Sequence, residues 1–319
     1  MSIRVLALCG GIGGAKLALG LMHEVAPEEL AILINTGDDF EHLGLTVSPD
    51  VDTVTYTLAG LNNTELGWGL AGETWAFMDQ LRKLGGEDWF NLGDRDLALH
   101  VERTRRLNAG ESLSAITADV ARKLGVAPAL WPMADDPVRT VLDTDEGTLA
   151  FQRYFVGRRA EPAVRAIAYH GAQTARPNAA ALAALADPAL EAVVICPSNP
   201  WLSIAPLLAM PALREALART GAPVIAVSPI VGGKAIKGPT AKLMGELGLP
   251  VTAQAVARFY AGLATGYVLD ETDRALADGV AGEGMAVDVQ PTVMTDLASK
   301  RALARGVLGF AARLRGATP

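Results

Sequence analysis

Several classes of protein are disfavoured by what this sequence lacks. It contains no run of about 18 apolar residues, the length that a membrane-spanning helix needs. Its first residues, Met1–Arg4, enter a short apolar stretch directly, and no signal-peptide cleavage site follows. Basic residues are also in the minority, since 28 Lys and Arg stand against 35 Asp and Glu and the formal net charge is −7. Binding to a nucleic-acid backbone relies on clustered Lys and Arg, so we expect a cytoplasmic protein that binds neither membrane nor nucleic acid.

Cysteine is rare as well. The two cysteines, Cys9 and Cys196, stand at the ends of apolar runs and are explained as small core residues rather than as a disulfide or a metal pair. Half of the residues are hydrophobic, which argues against disorder. The sequence shows no internal repeat, low-complexity tract or extended linker. A length of 319 residues therefore predicts one main domain with an insertion.

The start of the chain predicts a βαβ unit. Ile3–Leu8 and Leu30–Ile34 are continuous apolar runs of the kind found in buried parallel strands. Between them, the glycine loop Gly10–Gly14 leads into a segment with helical spacing, Ala15–His23. A strand, a tight turn, a helix and a second strand in this order predict a parallel pair with a right-handed crossover.

The glycine loop is predicted to bind phosphate, because glycines let backbone N–H groups approach phosphate oxygens closely. Neither standard fingerprint is complete. Lys16 replaces the third glycine of the dinucleotide motif, and Ala15 separates Gly14 from Lys16 in the P-loop frame. The candidate phosphate-binding residues are Gly11, Gly13, Gly14 and Lys16. Glycines that serve only the close packing of strand and helix are the alternative.

Four aspartates follow within the next forty residues: Asp38, Asp39, Asp50 and Asp52. Ser48 and Pro49 predict the start of a helix, which would carry Asp50 and Asp52 on different faces. Carboxylates beside phosphates repel them unless a cation lies between, so the combination predicts Mg²⁺. Asp38 alone would also suit the ribose-binding acid of a nicotinamide enzyme, and a single acid at a helix start can simply complement the dipole.

The segment 61–137 is mostly helical in pattern and more polar, and we interpret it as a helical insertion that lines the substrate cleft. On one predicted helix, Asp96, His100 and Arg103 fall near one another at spacings of four and three. Arg95 belongs to a basic cluster that suits an anionic substrate, although it also fits a solvated helix start.

After a predicted β-hairpin, with strands over Val138–Leu142 and Thr148–Val156, the chain returns to an α/β rhythm. We therefore predict a Rossmann-like, doubly wound, mostly parallel sheet in a three-layer α/β/α arrangement, with residues 1–60 and 138–319 forming the core.

Two loops after predicted strands belong to the crevice of this sheet. Ser198 and Asn199 offer uncharged hydrogen bonds to a base or ribose. The loop around Ile230 and Gly232, followed by Lys234 and Lys237, offers a second anion site.

Seven motifs together resemble the 2-phospho-L-lactate transferase family of coenzyme F420 biosynthesis, called CofD in archaea and FbiA in mycobacteria. They run in order over almost the whole chain: Gly10–Leu17, Asn35–Asp39, Ser48–Thr53, Leu92–Asp96, Pro132–Pro137, Pro197–Pro200 and Ser228–Gly232. As a set they are highly specific, although no single one would be.

The resemblance implies a phosphoryl-type transfer. The ribityl hydroxyl of the deazaflavin Fo attacks the distal phosphorus of a guanosine diphosphate-linked three-carbon acid, and GMP leaves. The product is coenzyme F420-0 or its dehydro form, depending on whether the acid is lactate, enolpyruvate or glycerate. The family also suggests a homodimer. Positioning and charge neutralisation by Mg²⁺, Lys and Arg would supply most of the catalysis.

The resemblance also implies roles for individual residues. Asp50, with Asp38 or Asp39, would hold Mg²⁺ against the diphosphate, and Asp52 matches the aspartate that contacts the deazaflavin and would orient or deprotonate its hydroxyl. Fo contacts would also come from Asn91 and Arg95, where Asn91 replaces a basic residue of some relatives. The guanosine nucleotide would bind Ser198, Asn199, Ile230 and Gly232. Three tryptophans, Trp68, Trp75 and Trp89, are candidates for stacking on the tricyclic ring.

Two rival functions are compatible with parts of this sequence. A regulatory protein of the related gluconeogenesis-factor branch would bind a nucleotide-linked ligand without transfer, and it shares the glycine loop and the loop at Ser198 and Asn199. The segment Gly93–Asp96 and the helical insertion favour the transferases. A nicotinamide dehydrogenase is supported only by the βαβ opening and Asp38.

Overall fold

The computed structural model of the chain describes residues 2–65 and 67–317. Within them the strands are β1 (Val5–Cys9), β2 (Leu30–Ile34), β3 (Phe40–His42), β4 (Leu45–Val47), β5 (Ala129–Pro132), β6 (Arg139–Thr144), β7 (Gly147–Ala150), β8 (Val164–His170), β9 (Ala192–Ile195), β10 (Val224–Val227), β11 (Ile230–Val231), β12 (Lys234–Ala235), β13 (Gly266–Leu269) and β14 (Ala286–Val289). Seven of these strands form one parallel sheet in the order β14-β13-β10-β9-β1-β2-β5. The α/β Rossmann-like fold predicted from the sequence is thereby confirmed.

Helices connect these strands and cover both faces of the sheet. The described residues form α1 (Gly11–Met22), α2 (Pro49–Leu58), α3 (Ala76–Lys83), α4 (Asp94–Asn108), α5 (Leu113–Lys123), α6 (Ala179–Ala186), α7 (Ala205–Leu208), α8 (Pro211–Arg219), α9 (Thr240–Glu246), α10 (Ala253–Phe259), α11 (Ala277–Ala281) and α12 (Leu297–Ala317). Among them, no helix combines the length and the apolar character needed to cross a bilayer.

The sheet separates two hydrophobic cores. Leu6 and Leu8 of β1 point into one core, whereas Val5, Ala7 and Cys9 point into the other. Successive side chains of a strand face opposite sides, so a strand that is covered on both faces must be apolar at every position. This explains the continuous apolar runs of the sequence. Cys9 and Cys196 are both buried in the second core as free thiols.

The strand order reverses at β1, which pairs with β2 on one side and with β9 on the other. The chain leaves β1 toward one edge of the sheet and returns at β9 to build the opposite half. In open parallel sheets, the crevice at the carboxyl ends of strands around such a reversal is where ligands bind. The glycine loop follows β1, and the loop with Ser198 and Asn199 follows β9, so both lie at this point.

Helix α1 begins earlier than predicted, because the glycines form its first turn instead of a separate loop. A Cβ on Gly13 would overlap the carbonyl oxygen of Pro197, and one on Gly14 would lie 2.7 Å from the Cβ of Cys9. Close packing of α1 against β1 and the loop after β9 therefore requires glycine at both positions.

The segment 61–137 contains the predicted helices but also a strand of the central sheet. Strand β5 pairs in parallel with β2 and forms the edge of the sheet. Its sequence is only four residues long and ends in Pro132, which lacks an N–H group and is tolerated at an edge. So short a run carries little periodic signal. The predicted hairpin after residue 137 exists as β6 and β7, with β8 as its third strand.

Candidate active site

A cleft of about 610 Å³ opens at the carboxyl ends of the central strands. Its lining includes four groups of side chains and loops: the glycine loop, two aspartates, several aromatic rings, and the loops that follow β9 and β10. The members used below are Gly11, Gly13, Lys16, Asp38, Asp50, Trp68, Trp89, Phe90, Asn91, Phe151, Gln152, Phe155, Ser198, Asn199, Lys237 and Thr240. Segments far apart in the sequence therefore meet in one cavity.

The glycine loop and Asp50 are in direct contact. The N–H of Gly11 donates to Oδ1 of Asp50 at 2.6 Å, and Gly11 has a φ of +64°, a conformation that favours glycine. A Cβ on Gly10 would overlap Oδ2 of the same carboxylate. The absence of a side chain at Gly10 thus lets a carboxylate lie against the start of helix α1.

Asn35 links Asp50 to Asp38. Its Nδ2 donates to Oδ2 of Asp50 at 2.9 Å and lies 3.4 Å from Oδ1 of Asp38, so both carboxylates adjoin one amide nitrogen. The other oxygen of Asp38 accepts a hydrogen bond from Nε2 of Gln152 at 3.2 Å. These donors are neutral. In the described part of the chain, no lysine or arginine lies within ion-pair distance of Asp38 or Asp50.

Burial of this pair disfavours its charge. The pKa of Asp50 is raised to about 6, mainly because the carboxyl is desolvated. The pKa of Asp38 is raised well above its ordinary value by burial and then by the charge of Asp50. Two adjoining carboxylates that face a cleft without a cationic partner form a hard, oxygen-only donor set. Such a set fits Mg²⁺, which is bound through one or two carboxylates together with ligand phosphates.

Asp39 and Asp52 lie outside the cleft lining. Oδ2 of Asp39 accepts a hydrogen bond from Ser48 Oγ at 2.8 Å, while its Oδ1 is buried without a partner, and burial raises its pKa to about 7. Asp52 forms a two-pronged ion pair with Arg103 of α4. Helical spacing correctly predicted that Asp50 and Asp52 point to different sides of α2. Their predicted roles in metal binding and base catalysis stay predictions.

Two lysines from separate segments, Lys16 and Lys237, line the same cleft. Nζ of Lys16 donates to the carbonyl oxygen of Met294 at 3.0 Å. The pKa of Lys16 is lowered by burial and then by the neighbouring charge of Lys237. Like charges brought together in a cleft are relieved by an anion between them. Lys237 of the second anion site proposed from the sequence thus lines the same cleft as the glycine loop.

Only some of the residues predicted to hold the nucleotide line the cleft. Ser198 and Asn199 line the cleft, although Ser198 Oγ also bonds the backbone of Gly10, and Nδ2 of Asn199 donates to Thr240 Oγ1 at 3.0 Å. Ile230 is fully buried, and the N–H of Gly232 donates to Asp273 at 2.9 Å. Gly14, Ile230 and Gly232 do not belong to the cleft lining.

An aromatic wall lines part of the cleft. It consists of Trp68, Trp89, Phe90, Phe151 and Phe155. Phe151 and Phe155 are stacked with their ring centroids 5.4 Å apart, and the guanidinium of Arg153 lies over Trp89 at 4.0 Å. Large aromatic faces of this kind bind flat, apolar ring systems. Trp75 packs edge-on against Trp68 and is not itself part of the lining.

Two of the three residues predicted to contact Fo, Asn91 and Arg95, differ in position. Asn91 lines the cleft next to the aromatic wall, and its Oδ1 accepts a hydrogen bond from Arg82 at 2.6 Å. Arg95 is exposed outside the lining, where its Nη1 donates to the carbonyl oxygen of Ala71 at 2.7 Å.

Sequence reasoning missed the contribution of Phe151, Gln152 and Phe155. Their segment alternates like a strand, which is what the sequence predicts there, but the chain instead leaves β7 and forms a π-helical turn over Arg153–Gly157. This turn brings Phe151, Gln152 and Phe155 to the cleft, where Gln152 reaches Asp38. The only available signal was the concentration of aromatic residues between 151 and 155.

Comparisons with known proteins agree in finding similarity to phospho-transferases of one family. The profile of the family described as 2-phospho-L-lactate transferase CofD matches residues 5–301. A phosphoenolpyruvate transferase of Kitasatospora aureofaciens is 42% identical over 98% of this chain and 99% of its own length. A 2-phospho-L-lactate transferase of Methanosarcina mazei is 35% identical over 94% of this chain and 97% of its own length.

A solved structure supports the fold. A UPF0052 family protein of Bacillus halodurans has a TM-score of 0.59 to this chain at 14% identity, covering 97% of this chain and 99% of its own. At this identity the likeness concerns the fold alone. The sequence matches over nearly the full length carry the assignment further, and they show that the chain belongs to the 2-phospho-L-lactate transferase CofD family.

Proposed function

We propose that this protein transfers a phosphoenolpyruvyl group from a guanosine diphosphate-linked donor to the ribityl hydroxyl of Fo. The ribityl oxygen forms a bond to the distal phosphorus, the bond from that phosphorus to the bridging oxygen breaks, and GMP leaves. The enolpyruvyl form is favoured because four relatives named phosphoenolpyruvate transferase are 39–42% identical to this chain. Two further relatives with that name are 35% identical, and two named 2-phospho-L-lactate transferase are 35–36% identical.

One observation carries the proposal: a single cleft is lined by two chemically different sets of groups and by a pair of carboxylates that has no cationic partner among the described residues. The lysines Lys16 and Lys237 with the glycine loop suit a diphosphate. The aromatic wall suits the flat tricyclic ring of a deazaflavin. Asp38 and Asp50 lie beside the glycine loop, where the reacting phosphate of a bound donor would meet the acceptor.

The chain's own groups would act mainly by positioning. N–H groups of the glycine loop and the two lysines would bind the diphosphate and stabilise the charge that builds on the departing GMP. Asp38 and Asp50 would hold Mg²⁺, which when bound neutralises charge on the phosphates. Ser198, Asn199 and Thr240 would contact the nucleoside. Magnesium dependence, the Fo contacts of Asn91 and a homodimer belong to this proposal.

The proton of the ribityl hydroxyl needs an acceptor. Asp52 remains the predicted base, but its carboxylate is bound by Arg103 on the far side of α2. Asp38 and Asp50 are the carboxylates that face the cleft. A phosphoryl transfer with a loose transition state places little demand on a strong base, so positioning of the hydroxyl is the larger requirement.

The decisive experiment is a transfer assay. Purified protein is incubated with Fo, Mg²⁺ and each of the three guanosine diphosphate-linked donors, carrying enolpyruvate, lactate or glycerate, and products are detected by mass. We expect a product with the mass of dehydro-F420-0, formed fastest from the enolpyruvyl donor and lost on chelation of the metal. Nucleotide binding without product from any donor would favour the regulatory alternative and contradict the proposal.

A further inference from the structure

One face of helix α4 is polar and buried, and the proposed reaction assigns no direct role to the α4 residues on it. His100 and Arg103 are its buried residues, and neither is more than 3% exposed. Burying an arginine is costly unless its charge is paired and its N–H groups find acceptors. The partners of Arg103 therefore define what this face does.

Arg103 is bound to Asp52 of helix α2. Its Nη2 contacts Oδ1 of Asp52, and its Nη1 donates to Oδ2 at 3.1 Å, the fork geometry that gives strong and well-oriented pairs. Nη1 also lies 3.4 Å from the carbonyl oxygen of Thr46 in β4 and 3.3 Å from Nδ1 of His100. One guanidinium group thus connects α4 to α2 and to the strand that precedes α2.

A second contact joins the same two helices. The hydroxyl of Tyr56 in α2 donates to Oδ1 of Asp96 in α4 at 2.6 Å. Asp52 and Tyr56 are four residues apart, so they lie on one face of α2. His100 lies between the two contacts, with Nδ1 3.8 Å from Asp52 Oδ2 and Nε2 3.5 Å from Asp96 Oδ2. Helix α4 therefore contacts α2 at two points along one face.

The cluster also resembles a metal site, because ligand atoms of Asp52, Asp96 and His100 lie within 4.8 Å of one another. Arg103 already neutralises Asp52 at short range, however, and Tyr56 occupies one oxygen of Asp96. A cation here would have to compete with a buried guanidinium. The arrangement is therefore an ion-pair network that joins two helices.

This network lies opposite the cleft. Asp50 precedes Asp52 by two residues, which is a rotation of about 200° around the helix axis. When Arg103 fixes Asp52 on one side, it also fixes the rotation of α2 that places Asp50 Oδ1 2.6 Å from the N–H of Gly11 on the other. A modest turn of α2 would separate those atoms.

We propose that Arg103 is a positioning residue for the transfer reaction, which acts by fixing Asp52 and thereby holding Asp50 at the cleft. The kinetic part of this proposal rests on the proposed function. The effect on binding of a magnesium nucleotide does not require transfer, because it rests only on the proposed role of Asp50 in holding Mg²⁺.

A double-mutant cycle tests the proposal. Wild type, Asp52→Asn, Arg103→Met and the double variant are compared by calorimetric titration with GDP in the presence of Mg²⁺ and by kcat and KM for transfer. Each single variant leaves one buried charge unpaired and is expected to lose about 100-fold in GDP affinity and in kcat/KM, as for an active-site group displaced by about 1 Å. The double variant leaves neither charge unpaired, and its GDP affinity and kcat/KM are expected to be at least about tenfold higher than those of the single variants.

Two further variants complete the design. Arg103→Lys keeps a buried positive charge but loses the two-pronged hydrogen bonding of the guanidinium. We expect this variant to fold and to lose about tenfold in GDP affinity and in kcat/KM. Arg106→Met is the matched control, because Arg106 lies on the same helix but pairs with Glu111 and Asp119. It is expected to bind GDP and turn over like wild type.

The outcomes separate the alternatives. A double variant as inactive as Asp52→Asn, together with near wild-type Arg103→Met, would mean that Asp52 acts on substrate directly and would overturn the proposal. Wild-type GDP affinity in folded Arg103→Lys or Arg103→Met would overturn it as well, since the network would then only support stability. Absence of transfer in wild type, combined with the expected pattern in GDP affinity, would remove the proposed function and leave the positioning role standing.

Discussion

Two aspartates on helix α2 illustrate how differently the two sides of one helix are built. Asp50 and Asp52 are two residues apart and nearly equally buried, at 6% and 5% exposure. Asp50 faces the cleft and is bound by neutral donors, Gly11 and Asn35. Asp52 faces α4 and is bound by a guanidinium. Among the described residues, the negative charge thus has no basic partner on the cleft side of the helix and is paired with an arginine on the α4 side.

The largest effect is expected from Asp50→Asn. This change keeps the shape of the side chain but removes the charge that would hold Mg²⁺, so kcat/KM for transfer should fall by about 10³-fold or more. The measurement is product formation by mass at saturating Fo. Asp143→Asn, an exposed aspartate of β6, is the control and should retain full activity. Activity of Asp50→Asn close to wild type would remove the distinction between the two sides of α2.

Gly10→Ala disturbs the same carboxylate without changing its chemistry. The added Cβ would overlap Oδ2 of Asp50 and lie 2.8 Å from the Cβ of Ser203, so Asp50 must move. We expect a loss of about 100-fold in kcat/KM, as for other displacements of about 1 Å at reacting centres. Gly221→Ala serves as control, because a Cβ added there would have no neighbouring atom within 4 Å. Equal activity of the two variants would show that the position of Asp50 is not critical.

The cleft side should also respond to pH. Mg²⁺ binds the deprotonated carboxylate, and the pKa of Asp50 is raised to about 6, so apparent Mg²⁺ affinity should fall by up to about tenfold per pH unit below that value. Without metal, the folded state binds its proton more tightly than the unfolded chain. The contribution of Asp50 to the free energy of unfolding should therefore decrease, on the order of 3 kcal/mol, as pH rises from about 4 to 6.

This prediction is checked by calorimetric titration with Mg²⁺ and by denaturant unfolding at several pH values. Asp50→Asn is the control for both, since it has no proton to lose at that position. Its Mg²⁺ affinity should be low at every pH, and its stability should vary less between pH 4 and 6. A pH dependence as steep as that of wild type in this variant would contradict the assignment to Asp50.

The sequence predicted the central fold well, because strands that are buried on both faces appear as continuous apolar runs. Val5–Cys9, Leu30–Ile34 and Ala192–Ile195 are apolar at every position. Close packing explains Gly10, Gly13 and Gly14 after β1, and a positive φ explains Gly11. Strand β5 could not be recognised in the same way, since four residues at a sheet edge show no clear hydrophobic periodicity.

The site was predictable only in part. Asp38 and Asp50 stand in motifs with turn and helix-start signals, so their place at strand ends could be anticipated. The pairing of Arg103 with Asp52 spans 51 positions and depends on how α4 packs, which no local pattern encodes. Lys16 and Lys237 line the same cleft, and this too depends on tertiary packing rather than on a local pattern. Long-range charge partners are set by tertiary packing, whereas glycine loops and strand runs are set locally.

The smallest effect is expected from Tyr56→Phe, which weakens the compensated side of α2 without altering any charge. The change removes the hydrogen bond from the Tyr56 hydroxyl to Asp96 and leaves Oδ1 of Asp96 without that donor. Hydrogen bonds to charged groups contribute about 1.5–3 kcal/mol, so unfolding should become easier by about that amount, with Tm lowered by a few degrees. Arg103 still fixes Asp52, so kcat/KM should change by less than about threefold. Thermal unfolding and steady-state kinetics measure both quantities, with Tyr169→Phe as a control whose hydroxyl donates to the carbonyl oxygen of Trp201 instead. A loss of activity in Tyr56→Phe as large as that expected for Gly10→Ala would mean that α2 transmits every contact on its far side to Asp50, and that the division between a ligand side and a structural side does not hold.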